Sequence, residues 1–147
     1  MNAEVGDNTT QQLQALMEKW MVAARSRDLK AIMSCYTDDV VAFDAIIQLQ
    51  FKGADAYGKH WAMCMEMCGG EMIFEPRDLT IAASGDVGYG HYLMRCGAKD
   101  ADGTEKSSWM RCSVGFRRTG GQWAIAHEHF SAPFDMESGK ALFDLKP

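Results

Sequence analysis

The helical and strand-forming signals of this chain are segregated along the sequence. Apolar residues recur at helical spacing between residues 13 and 68, beginning with Leu13, Leu16, Met17 and Trp20. Apart from one apolar strand at 40–44, strand signals are confined to residues 72–131, where β-branched and aromatic runs are bounded by glycine turns. Three helices followed by a run of antiparallel strands predict an α+β fold, with three N-terminal helices packed on a strongly curved sheet.

The length of the chain suits one domain, at 147 residues. We expect residues 9–135 to form it. Residues 1–8 are polar and predict a flexible tail, and residues 136–147 predict a second tail with weak amphipathic character. A curved sheet closed by helices leaves a concavity at its open end, which is where small-molecule sites form.

The charge of the chain argues against two classes of partner. A net charge of −5 offers no basic excess to neutralise nucleic-acid phosphates or an anionic membrane. No apolar run approaches the roughly 20 residues that cross a bilayer, and the first residues do not resemble a signal peptide. We therefore expect a cytoplasmic protein.

Five cysteines then predict reduced, mostly buried thiols, although Cys64 and Cys68 have a spacing that could hold a metal.

Three residues carry the strongest chemical signals. Asp44 ends an apolar strand, where a dry environment would favour a general base. His127 and His129 are two apart on the last strand and therefore share one face, leaving Glu128 on the other. The alternatives are a solvated strand-end aspartate and a polar core pair of histidines. A metal site is a third alternative, completed by His91 or Asp44.

Other residues could bind a ligand, but their orientation is open at this stage. His91 on one strand, and Trp109 and Arg111 on the next, alternate with apolar neighbours, so either face of each strand could be inward. Arg111 amid apolar residues suggests a carboxylate partner or, alternatively, an exposed or interface position. Trp20 and Trp61 could line a pocket for a flat apolar ligand. His60, beside Trp61, is expected at the surface.

Several segments together resemble the nuclear-transport-factor-2-like superfamily, and within it the SnoaL-like and ketosteroid-isomerase-like branch. The resemblance covers roughly residues 10–135 and is carried by residues 16–20, 28–33, Tyr36-Thr-Asp-Asp39, Phe43-Asp44, Phe51-Lys-Gly53, 116–118 and Gly121-Gln-Trp123.

The resemblance implies a cone-shaped cystatin-like fold and specific site positions. Asp44 matches the general base of the isomerase, and the face bearing His127 and His129 is implied to look into the pocket. Trp20 and Cys112 occupy the two oxyanion positions, where they are poorer donors than the tyrosine and carboxylic acid of the isomerase. Both therefore join the candidates for substrate binding. The resemblance also implies a homodimer through the outer sheet face.

Three functions remain open on the sequence. The first is a cofactor-free isomerase, cyclase or dehydratase that uses Asp44 as base on a small apolar carbonyl compound. The second is a non-catalytic ligand-binding or association module, because this fold hosts both kinds of protein. The third is a metal-dependent enzyme that uses His127 and His129. We expect no dinucleotide or nucleotide cofactor, because neither glycine-rich phosphate motif is present.

Overall fold

The computed structural model describes residues 8–147, which form a helical layer on one sheet. Helix α1 spans Thr9–Arg25, α2 spans Leu29–Met33 and α3 spans Ala54–Met67. The Asp28 side chain accepts a hydrogen bond from the Ala31 N–H at 3.0 Å, which caps α2. Gly53 precedes α3 with φ of 88°, a conformation that favours glycine.

The sheet contains six strands within the described part of the chain. They are β1 Tyr36–Phe43, β2 Phe51–Lys52, β3 Glu71–Ser84, β4 Val87–Lys99, β5 Glu105–Thr119 and β6 Gln122–Ser131. Their order is β2-β1-β6-β5-β4-β3, with β1 parallel to β6 and all other pairs antiparallel. The α+β fold is as predicted, and it joins the early strand β1 to the last strand β6.

One face of the sheet packs against the helices. Tyr92 and Met94 of β4 and Cys112, Val114 and Phe116 of β5 are buried at alternate positions. The sheet therefore has an inner face under the helices and an outer face. Trp20 of α1 is fully buried and contacts the rings of Trp61, Phe74 and Phe130 on three other elements. Burying large side chains of this kind is worth about 1.5–3 kcal/mol each.

A bulge in β6 decides which of its residues face inward. Ile125 pairs with Phe116, yet the next pair is His127 with Gly115, so Ala126 has no partner on β5. The extra residue reverses the alternation of side chains beyond it. Ile125, Glu128 and Phe130 are consequently all buried on the inner face.

Three local features complete the fold. Tyr36 begins β1, and residues 72–82 belong to one strand with an irregularity at Asp78, where φ is 58°. The segment beyond residue 135 folds back through a bridge between Phe134 and Ala141. The predicted tail at residues 1–8 lies almost wholly outside the described residues. None of the helices in residues 8–147 has the length and hydropathy to cross a membrane.

Candidate functional site

A cavity of about 300 Å³ lies between α3 and strands β3 to β6. This volume is at the lower end of the range for small-molecule sites. Most of its wall is apolar. The lining residues are Asp44, Ala45, Ile46, His60, Trp61, Cys64, Met65, Cys68, Met72, Phe74, Cys96, Gly97, Ser108, Met110, Phe130 and Phe143.

Asp44 and His60 form the polar pair of this wall. The Nε2 atom of His60 lies 3.1 Å from Oδ2 of Asp44, and 3.6 Å from the Cys64 sulfur. The side chain of Asp44 is 16% exposed and that of His60 is 3% exposed. A carboxylate and an imidazole at this distance can share and relay one proton, while the cavity limits the access of water.

Local structure explains why these two side chains meet. Asp44 directly follows β1, two residues after the inward-facing Ala42, so alternation turns it toward the cavity. Its other oxygen, Oδ1, accepts a hydrogen bond from the Ile46 N–H at 3.2 Å. The ring of His60 stacks on Phe51 with a centroid separation of 4.1 Å. The carboxylate and the imidazole are thus each fixed by a second contact.

A second carboxylate lies deeper, in a fully buried hydrogen-bond network. Tyr36 donates to Oε1 of Glu128 at 2.6 Å, and the hydroxyl of Tyr57 donates to the same oxygen. Trp20 donates through its indole nitrogen to the Tyr36 hydroxyl at 2.7 Å. The network joins α1, β1, α3 and β6, and so connects the helical layer to the sheet.

Burial dominates the electrostatics of this network. Removal from water raises the pKa of Glu128 to about 7, against the lowering effect of the two tyrosine hydroxyls. Burial, followed by the negative charge of Glu128, raises the pKa of Tyr36 and of Tyr57 well above the usual value. The charge of Asp44 also acts on Glu128 and on Tyr57, so the network and the cavity are electrostatically coupled.

We expect Tyr57→Phe to lower the free energy of unfolding by about 1–3 kcal/mol, because it removes a hydrogen bond to a carboxyl group that water does not reach. The loss in free energy of unfolding should be larger at alkaline pH, because a charged carboxylate at Glu128 is stabilised more by hydrogen-bond donors than a neutral carboxyl group is. Urea denaturation at several pH values would measure it. The matched control is Tyr89→Phe, whose side chain is exposed; equal losses in both variants would contradict a role for the Tyr57 hydroxyl.

The expectation that His127 and His129 look into the pocket is wrong. Both lie on the outer face, where their rings contact Phe43 at centroid distances of 4.8 and 5.6 Å. His127 Nδ1 is also 2.6 Å from the Val41 carbonyl oxygen. The bulge at Ala126 is the physical reason, since an unbroken strand would have placed both histidines on the face of Ile125.

Five further candidates for ligand binding do not line the cavity. Trp109, Arg111 and His91 lie on the outer face, opposite to the buried Cys112, Val114 and Tyr92 in the alternation of β5 and β4. Trp20 and Cys112 do face inward, but neither lines the cavity, because both are enclosed by other core residues.

Trp61 is the one predicted substrate-binding residue that the structure places in the cavity wall, where Asp44 also lies. Its indole N–H is buried and has no hydrogen-bond partner among the described residues. A ligand oxygen that reached it would satisfy a donor that the fold leaves unmatched.

Sequence reasoning missed His60 and Glu128, yet signals for both existed. His60 was expected at the surface, but it is three residues after Tyr57 and four before Cys64, so it belongs to the apolar stripe of α3. For Glu128 the signal is the odd spacing of the apolar residues on β6. Ile125 and Phe130 are five residues apart, so both can face the core only if the strand contains a bulge.

The remaining polar groups of the wall are few. Ser108 faces Cys96 across β4 and β5 and hydrogen-bonds its sulfur. No lysine or arginine of residues 8–147 lines the cavity. No cluster of three metal-ligating side chains occurs in that part of the chain, and Asp44 points to the cavity, away from His127 and His129 on the outer face.

Comparison with known proteins gives a family and a fold. The model of the SnoaL-like domain matches residues 13–135. A crystal structure of an NTF2-like protein of unknown function from Pseudomonas putida is 54% identical, covers 93% of this chain and 95% of its own, and has a TM-score of 0.87. A comparison with curated proteins finds no match.

More distant structures share the fold. A proposed dehydratase of the NTF2-like family from Streptomyces avermitilis is 15% identical over 85% of this chain and 96% of its own, with a TM-score of 0.75. A protein of unknown function from Mycobacterium tuberculosis is 18% identical over 88% of this chain and 75% of its own, with a TM-score of 0.73.

Proposed function

Since this chain belongs to the SnoaL-like domain family within the NTF2-like superfamily, we propose that its cavity binds a small apolar carbonyl compound and that Asp44 acts on it as a general base. The reaction class is a cofactor-free isomerisation, cyclisation or dehydration. The observation that carries the proposal is the carboxylate of Asp44, bonded to the buried His60 at 3.1 Å in the wall of an otherwise apolar cavity.

The pair can move a proton without another reagent. Asp44 removes a proton from the carbon next to the carbonyl group, which leaves an enolate. His60 stabilises the carboxylate through Nε2 and holds it in one orientation. Returning the proton to a different carbon completes an isomerisation. In a dehydration, the same pair would deliver the proton to the departing hydroxyl group.

The direct test follows a β,γ-unsaturated cyclohexenone in deuterium oxide with catalytic amounts of protein. The proposal predicts conversion to the conjugated ketone and deuterium at the exchanging carbon, both above the rate of buffer alone. Absence of both with this and other small enones would contradict proton transfer by this cavity.

A binding module without catalysis is the alternative, and one observation favours it. The indole N–H of Trp20 is committed to Tyr36, and Cys112 does not reach the cavity, so the two oxyanion positions offer no donor to an enolate. Ser108 is the only hydroxyl group in the wall among the described residues. Recovery of a tightly bound ligand in unchanged form would support this alternative.

We also propose that the outer sheet face joins two copies of the chain. Phe43, Tyr89 and Val87 are exposed there at 37%, 59% and 61%, beside the histidines. Light scattering should then give twice the 16.3 kDa of one chain. Ser113→Arg, at the exposed centre of this face between His91 and His129, should produce monomers, whereas Thr10→Arg on α1 should not. A monomeric wild type would contradict the proposal.

A further inference from the structure

Six side chains in the cavity wall carry sulfur. We call them the sulfur wall: Cys64, Met65, Cys68, Met72, Cys96 and Met110. Three come from α3 and its C-terminal cap, and three come from strands β3, β4 and β5. A flat ligand between the helix and the sheet would therefore meet sulfur on both sides.

The thiols of Cys64 and Cys96 in this wall are neutral at physiological pH. Burial, reinforced by the charge of Asp44, raises the pKa of Cys64 and of Cys96 to about 11. Neutral thiols and thioethers are polarisable and make favourable contacts with aromatic rings, often at the ring edge. Trp61, Phe74 and Phe130 also line the cavity and offer edge-to-face or stacked contacts to the same kind of ligand.

The charge of the cavity disfavours anions. Asp44 supplies a carboxylate, and no lysine or arginine within residues 8–147 lines the wall to balance a second negative charge. An anionic ligand would lose its hydration without gaining a fixed cationic partner. Its affinity should fall accordingly.

We propose that the cavity selects an uncharged aromatic ring that carries one oxygen, and that the sulfur wall distinguishes this ring from a saturated ring of the same size. The inference rests on the proposed function, since the oxygen of the ligand lies at the Asp44–His60 pair. It adds a specificity that an apolar cavity of ordinary aliphatic composition would lack.

Isothermal titration with three probes tests it: β-naphthol, its saturated counterpart β-decalol, and β-naphthoate. We expect β-naphthol to bind about 10-fold more tightly than β-decalol. β-Naphthoate should bind more weakly than β-naphthol. The double variant Met72→Leu/Met110→Leu keeps the apolar volume and removes two sulfur atoms, so it should reduce the preference for the aromatic ring without weakening β-decalol. The control is Met136→Leu, at an exposed position.

Equal or tighter binding of β-decalol would overturn the proposal, and so would an unchanged preference in the double variant or equal binding of the anion. These readouts do not depend on turnover. An aromatic preference without conversion of enones would leave this inference standing and contradict the catalytic proposal. Conversion of enones by a cavity without the aromatic preference would support the catalytic proposal and contradict this inference.

Discussion

Asp44→Asn should lower kcat/KM for the enone reaction by about 10²–10⁴-fold, the usual contribution of a positioned general base. The amide has nearly the same shape as the carboxylate and can still bond His60 and the Ile46 N–H, so the fold should persist. What it lacks is the capacity to accept a proton from carbon. Ligand affinity should therefore change much less than turnover.

Three measurements separate this outcome from a structural effect. The thermal midpoint of the variant should stay close to that of the wild type, and titration should show that ligand still binds. Asp38→Asn, at an exposed position on β1, is the matched control and should retain full turnover. Turnover in Asp44→Asn equal to that of the wild type would remove Asp44 from the mechanism.

Glu128→Gln should abolish a loss of stability that the wild type shows as pH rises from about 4.5 to about 7. In the unfolded chain the carboxyl group releases its proton near its ordinary pKa. In the folded chain burial holds that proton until about pH 7. The folded state thus binds more protons within this window, and the free energy of unfolding falls with rising pH. Above the window the effect levels off.

The size of this effect follows from the raised pKa. Each pKa unit corresponds to about 1.4 kcal/mol, so the loss is on the order of 3 kcal/mol. Urea denaturation of both proteins between about pH 4.5 and about pH 8 measures their free energies of unfolding. The advantage of the wild type over the variant should narrow as pH rises, and the variant should then become the more stable of the two. Parallel pH profiles would show that Glu128 does not ionise in this window.

Two other carboxylates, those of Asp39 and Glu75, change their contribution to stability below this pH window. Hydrogen bonds from Arg117 and Arg95 lower the pKa of Asp39 and of Glu75, so their contributions to stability are lost at more acidic pH. Glu71→Gln, at an exposed position on β3, controls for the removal of one carboxylate and should leave the profile unchanged.

The fold followed from the sequence because its signals are local. The stripe of α1 and the β-branched strands each report burial within one element, and their separation along the chain is enough to predict helices packed on a sheet. Asp44 was predictable for a similar reason, since it directly follows an apolar strand. The family pattern then gave the same residue a role.

The rest of the site depends on pairing between distant segments. Whether Trp109 or Met110 lines the cavity is decided by the register of β5 against β4 and β6, which neither strand encodes alone. The partners of Glu128 lie 71 and 92 residues away along the chain, on Tyr57 and Tyr36. No periodicity within one segment predicts such a network. The burial of His60 differs from these cases, because it follows from the apolar stripe of α3 alone.

The bulge in β6 allows two side chains five positions apart, Ile125 and Phe130, to be buried on the same face. Deletion of Ala126 would make Ile125 and His127 neighbours on opposite faces, so every residue beyond the bulge would keep its present orientation. A slip in pairing that took Ala126 into the ladder would instead bring both imidazoles inward and carry the carboxylate of Glu128 to the outer face. The acid–base groups of the interior therefore depend on the pairing register of β6, and relatives in which this strand pairs without a bulge are where a different activity should be sought.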